Sequence, residues 1–135
     1  MPSYGPPITT DQAKKAASVA LVHARANNWA MAAAVVDPNG TLVYFEKIDD
    51  TQHASARIAI DKARSAALFK RPTKTFQDSI ERGGIGLRVM ALRGAIPVEG
   101  GVPLVIGGKI VGGLGVSGGT AEQDGECAKA ATDAM

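Results

Sequence analysis

Gly113, Gly115 and Gly118 stand in the order G-x-G-x-x-G within GGLGVSGGTAEQD, residues 112–124. That spacing marks a backbone loop lying against a dinucleotide's pyrophosphate, provided that it follows the first strand of a βαβ unit. An acidic residue about twenty positions further on must then meet the ribose. Neither condition holds. Only 17 residues follow Gly118, and the apolar runs Val102–Ile106 and Ile110–Val116 before it are joined by Gly107-Gly108, a pair suited to a two-residue hairpin turn. A hairpin rules out the parallel crossover, so neither NAD nor a flavin is expected. The glycines read instead as places where a helix or a neighbouring subunit closes on the sheet. A weaker form of the idea survives. Ser117-Gly118-Gly119-Thr120 passes from a strand end into a helix N-terminus, where unpaired N–H groups can hold a carboxylate or phosphate.

Other chemistry is sparse. Cys127 is the single cysteine, so no internal disulfide and no C-x-x-C zinc or haem-attachment spacing exist. Its alanine neighbours make it a small core residue rather than a reactive thiol. No H-x-E or two-His-one-carboxylate spacing supports a metal site.

The elements that must position any site fit one compact domain spanning residues 1–135, with 1–8 as an extended N-terminal segment. Apolar residues at 45% and charged ones at 21% indicate a globular chain, and aromatics at 4% leave no platform for stacking bases. The formal charge of +2 hides an asymmetry. Residues 53–93 carry nine Lys/Arg against Asp61, Asp78 and Glu81, giving +6, while the remainder is −4. Such a segment attracts carboxylates or phosphates, or is a solvated helical face with pairs such as Arg57 and Asp61 at i,i+4. Without interleaved aromatics, nucleic acid is not an expected partner. No stretch has the length of a membrane span, and MPSYGPPITT lacks the features of a signal peptide. The expectation is therefore the cytoplasm as the sequence stands, or the periplasm or exterior if a leader has been removed.

Thr9 and Gln12 form a capping box before a helix whose apolar stripe is Ala13, Ala16, Ala17, Ala20, Leu21 and Ala24. A hairpin follows, turning at Pro38-Asn39-Gly40. SARIAIDKARSAALFK is a helix stopped by Pro72, with Ala56, Ile60, Ala63 and Ala67 as its expected buried stripe. TKTFQDSIER is a shorter helix, capped by Thr73 or Thr75 and ended by Gly83, and residues 84–101 form a looser connection. The Gly107-Gly108 hairpin comes next, then a last helix opened by a second capping box, Thr120 with Gln123. The order is α-β-β-α-α-β-β-α, with a further short strand expected around Ala95–Val98. Fold class is thus α/β in the α+β sense, a central antiparallel sheet of about five strands flanked by helices.

VPLVIGGKIVGGLGVSGGTAEQDGECAKAA resembles the signature of the GlcG/HbpS family, and VVDPNGTLVYFEKIDDT, AIDKARSAALFKRPT and GAIPVEGGVPL match further family blocks in order. The resemblance runs from about Ile8 to Ala134. It extends to the C-terminal domain of PduO-type corrinoid adenosyltransferases. It implies a profilin-like fold, assembly into homo-oligomers, and a link to haem binding, haem degradation or small-molecule catabolism. Architecture follows from such a likeness more securely than chemistry.

Recurrent family positions present here are Asp37, Asp49, Lys62, Pro97, Glu99, Gly100, Gly101, Pro103, Ser117, Glu122, Gln123 and Asp124. Several have structural readings. Asp37 suits its turn, Glu122 and Gln123 their helix start, and Lys62 either a solvated face or a partly buried one. Glu99 between glycines suits a loop that approaches a ligand or partner. As axial haem ligands the candidates are His53, before the second helix, and His23, at the edge of the first helix's stripe. Two functions are therefore expected. One is a binding module, an oligomer holding haem or a related small anionic ligand, with Arg57 or Arg64 pairing propionates. The other is a catabolic enzyme in which Glu99, Asp124 and Lys62 do acid–base work on a substrate anchored by Gly100, Gly101, Ser117, Gly118, Gly119, Thr120 and Gln123. In both, the ligand sits in a cleft shared between subunits, where the Glu99-Gly100-Gly101 loop meets the Ser117–Asp124 junction.

Overall fold

The computed structural model describes residues 1–135. Its elements are α1 (Thr10–Ala26), β1 (Ala32–Val36), β2 (Leu42–Lys47), α2 (Ala54–Phe69), α3 (Thr73–Arg82), a 3₁₀ segment (Gly84–Ala91), β3 (Gly101–Ile106), β4 (Lys109–Ser117) and α4 (Ala121–Asp133). The strands form one antiparallel sheet in the order β2-β1-β4-β3. Both capping boxes form, at Thr9/Gln12 and Thr120/Gln123, and the six-residue stripe of α1 is buried as its spacing requires.

Four strands are present rather than about five, because residues 95–98 do not pair with the sheet. Their surroundings show why. The Ile96 N–H donates to Ser65 Oγ and the Glu99 N–H to Gln77 Oε1, so side chains of α2 and α3 take the donors a strand ladder would use. Pro97 has no donor to offer a ladder. The N-terminal segment takes sheet contacts instead. Tyr4 bridges Ile110 in parallel, and its hydroxyl donates to the Ala67 carbonyl at 2.7 Å.

Successive residues of β1 and β4 serve opposite layers. Ala33, Val35, Leu114 and Val116 pack with α1 and α4 in the larger core, whereas Ala32, Ala34 and Val36 meet Ala59, Ala63 and Ala67 of α2. Gly113 and Gly115 of β4 belong to this second face. A Cβ on Gly113 would lie 2.3 Å from the Ala63 carbonyl oxygen, and one on Gly115 would strike the Ala59 carbonyl. The helix thus rests on bare strand backbone, the reading of these glycines that the sequence favours.

That contact also rotates α2. Its buried residues are Ser55, Ala59, Lys62, Ala63, Ser65, Ala66 and Ala67, while Ala56 and Ile60, expected in the stripe, are half-buried. The narrow groove over the glycines selects the smallest side chains of the helix, not its most apolar line. α3 differs from expectation at its start too. Pro72 is its N-cap without a side-chain hydrogen bond, and neither Thr73 nor Thr75 caps it. Thr73 is buried and its hydroxyl accepts the Gly101 N–H at 2.9 Å, which ties α3 to the first residue of β3.

Candidate functional site

Lys62 is the largest fully buried side chain, 1% exposed. From α2 its ammonium reaches past the end of β4, donating to the Val116 carbonyl at 3.0 Å and to Asp124 Oδ2 at 2.9 Å. Asp124 lies in the first turn of α4 and is 3% exposed; its Oδ1 accepts the Gly119 N–H at 3.0 Å. Burial raises the pKa of Asp124 from its ordinary value, against the opposing pull of the Lys62 ammonium and the glycine N–H donors. The solvated-face alternative for Lys62 is therefore excluded.

Gly100 and Gly101 wrap this pair. Gly100, at φ 130°, has backbone where a Cβ would lie 2.6 Å from the Val116 carbonyl oxygen and 2.8 Å from Lys62 Nζ, and its own carbonyl accepts the Val116 N–H at 2.9 Å. A Cβ on Gly101 would lie 2.5 Å from the Lys62 carbonyl oxygen. Glu99 lies over α4, where a Cβ on Gly125 would collide with its carboxylate. Burial raises the Glu99 pKa, offset in part by Lys74 and reinforced by Glu122 and Asp78. A glycine inside a helix costs about 1 kcal/mol relative to alanine, and here its absent side chain makes room for a carboxylate.

The structure thus gathers Lys62, Glu99, Gly100, Gly101, Ser117, Gly119 and Asp124 at one junction. A cleft of about 300 Å³ opens on it, lined by Gln52, Asp61, Lys62, Ser117, Gly119, Asp124 and the apolar Ile58, Ile96, Val98 and Ala121. Glu99, Gly100, Gly101, Gly118, Thr120 and Gln123 do not line it. Gly100 and Gly101 pack against Lys62, Glu99 lies against Gly125 of α4, and Thr120 and Gln123 spend their side chains on each other's N–H groups. Arg57 is exposed and forms no ion pair with Asp61. His53, exposed at the start of α2, and His23, whose Nε2 lies 2.6 Å from Glu126 Oε2, line none of the clefts.

A second region escaped the sequence reading. Between α3 and the 3₁₀ segment a cleft of about 440 Å³ is lined by Phe76, Val89, Ala91 and Leu92 with Thr75, Ser79, Arg71 and Arg88. Arg71 stands 5.8 Å from the Phe76 ring centroid, and neither arginine has an acidic partner. The same segment exposes Ile85 (76%), Leu87, Met90 (67%) and Leu92. The apolar run GIGLRVMAL was the available signal, with Arg71 and Arg88 among the basic residues around it.

No helix is long and apolar enough to cross a membrane. Residues 8–133 match the family described as haem degrading protein HbpS-like. Escherichia coli GlcG is 41% identical over 94 residues, covering 70% of this chain and 69% of that protein. A double mutant of Streptomyces reticuli HbpS superposes with a TM-score of 0.87 at 25% identity, covering 98% of this chain and 90% of that one. PduOC, solved as its haem complex, gives a TM-score of 0.84 at 27% identity, with coverage of 96% and 95%.

Proposed function

The chain belongs to the HbpS-like family, and from that premise we propose that it binds haem in the cleft between α3 and the 3₁₀ segment. The observation carrying this placement is a wall of Phe76, Val89, Ala91 and Leu92 bearing two guanidiniums without acidic partners, Arg71 and Arg88. A flat apolar macrocycle with two propionates asks for those groups. The cleft's volume of about 440 Å³ suits partial enclosure of such a ligand by one chain. The exposed Ile85, Leu87, Met90 and Leu92 supply apolar surface for a second copy to cover, so the assembly is a homo-oligomer. When bound, haem supplies a redox-active iron. The protein's part is to seat the ring, pair its carboxylates and limit water around it. Met90, 67% exposed and not itself on the cleft wall, is the soft donor that adjoins lining residues Val89 and Ala91 and would reach the metal only by turning inward.

Haem titration followed by the Soret band tests the reading. The expected result is saturable binding that weakens in Arg88→Ala and changes its spectrum in Met90→Ala. Loss of the spectrum in His53→Ala or His23→Ala instead would assign the iron to that histidine, and no saturable Soret change would end the proposal. Light scattering is expected to give a mass several times the 13.9 kDa of one chain.

The acid–base reading has less support. Lys62 and Asp124 neutralise one another at 2.9 Å, and Glu99 does not line the cleft they share.

A further inference from the structure

We propose that the cleft over the Lys62–Asp124 pair is a binding site for a small monocarboxylate, separate from the haem cleft and independent of the haem reading. Ser117 ends β4 on the face turned to α2, the side of Gly113 and Gly115. It is 4% exposed and lines the cleft, and its hydroxyl makes no hydrogen bond within the chain; since no fully buried polar atom lacks a partner, the little access it has opens onto the cleft. A hydroxyl so narrowly open offers its proton and lone pairs only to what enters the cleft.

Beside it on the cleft wall is Ala121, the first residue of α4. The N–H groups around this helix start can be followed one by one. Gly119 donates to Asp124 Oδ1, Thr120 to Gln123 Oε1, Gln123 to Thr120 Oγ1, and Asp124 to the Thr120 carbonyl. Those of Ala121 and Glu122 have no acceptor in the chain. A helix N-terminus with two free donors therefore borders a buried hydroxyl that also lacks a partner. Lys62 adds to this, since its ammonium has three protons and two protein acceptors. A buried ion pair gives little net stability against an apolar replacement, so its place on the wall of a cleft is better explained by a ligand than by folding.

The same residues select the ligand. One negative charge suits free helix donors and Lys62. Asp61 on the cleft wall and the already paired Asp124 oppose a second, which disfavours phosphate dianions and dicarboxylates. Ile58, Ile96 and Val98 accept a short aliphatic chain, and about 300 Å³ leaves room for little more.

The test is saturation-transfer difference NMR of sodium propanoate on the haem-free full chain at fixed ionic strength. Saturable binding is expected, with an affinity of about millimolar for so small a ligand. Succinate should compete about tenfold more weakly, and chloride at the same concentration should not compete. Ser117→Ala should weaken propanoate about five- to tenfold with an unchanged melting temperature. Ala121→Pro removes one free N–H at the helix position that best tolerates proline, and should weaken binding while α4 persists by circular dichroism. Asp61→Asn should bring succinate close to propanoate. The proposal is overturned by an absence of saturable transfer, by equal competition from chloride, or by full affinity in both Ser117→Ala and Ala121→Pro. The Soret titration reads the other cleft, so either proposal can fail alone.

Discussion

At the Lys62–Asp124 junction two opposite charges face each other at 2.9 Å with almost no solvent, whereas between α3 and the 3₁₀ segment Arg71 and Arg88 stand on an apolar wall with no counter-charge. On the side away from its cleft the first region is closed by backbone, with Gly100 and Gly101 leaving no room even for a methyl group. The second leaves Ile85 and Met90 mostly in water. One places charge where removing a partner is costly. The other places charge and apolar area where only something outside the chain can use them. Stability and haem binding should accordingly separate between the two.

The largest expected effect is at the junction. Asp124→Asn leaves the Lys62 ammonium buried without its counter-charge and should cost about 3–5 kcal/mol in denaturant unfolding. Lys62→Met combined with Asp124→Leu should recover most of that loss. If Asp124→Asn unfolds at the wild-type midpoint, the junction is not the closed region described above.

Next is the contact between Glu99 and α4. Gly125→Ala puts a methyl group into the Glu99 carboxylate and should destabilise by about 1–3 kcal/mol. In a Glu99→Ala background the sign should reverse to a gain of about 1 kcal/mol, because only the helix preference for alanine is left. An unchanged sign in that double-mutant cycle would show that Glu99 does not depend on the missing side chain.

Arg71→Ala and Arg88→Ala sharpen the contrast from the other side. Each should weaken haem about tenfold, with melting temperatures close to wild type. A large loss of stability in either would mean that the two regions do not divide the work.

The smallest effect is a slope. Glu99 has a raised pKa in the folded chain, so between its unfolded and folded values the native state holds more proton than the unfolded one. Stability therefore falls as pH rises through that window. Glu99→Gln should remove this slope and gain on wild type toward neutral pH in thermal melts from acid to neutral buffer. Parallel pH profiles would contradict the assignment.

Local signals in the sequence located most elements. Thr9/Gln12 and Thr120/Gln123 set two helix starts, and Gly107-Gly108, at φ 59° and 76°, turns the second hairpin as expected. What could not be read locally depends on residues far apart in the chain. Lys62 looks like one more cation of a basic segment until Asp124, 62 positions later, is seen beside it. Thr73 looks like a cap until Gly101 takes its hydroxyl. The stripe of α2 was misplaced by part of a turn because its seat is chosen by β4. The arginine cleft was missed because a 3₁₀ segment has neither the helical nor the strand period by which apolar residues show their face. By contrast, the meeting of the Glu99 loop with the Ser117–Asp124 segment was visible as two glycine-rich ends of one hairpin.

The bare contact of α2 on Gly113 and Gly115 has a consequence in time as well as in space. Ordinary helix–sheet contacts run through side chains that can change rotamer and absorb a small slide. Here the Ala59 and Ala63 carbonyls meet strand backbone directly, so there is no such slack. α2 and β4 should open to solvent as one cooperative unit, with amide hydrogens exchanging at a common rate governed by a common free energy. Ser117 and Lys62 belong to that unit, whereas the 3₁₀ segment lies outside it. A fluctuation that loosens the arginine cleft can then occur many times before one reaches the buried pair.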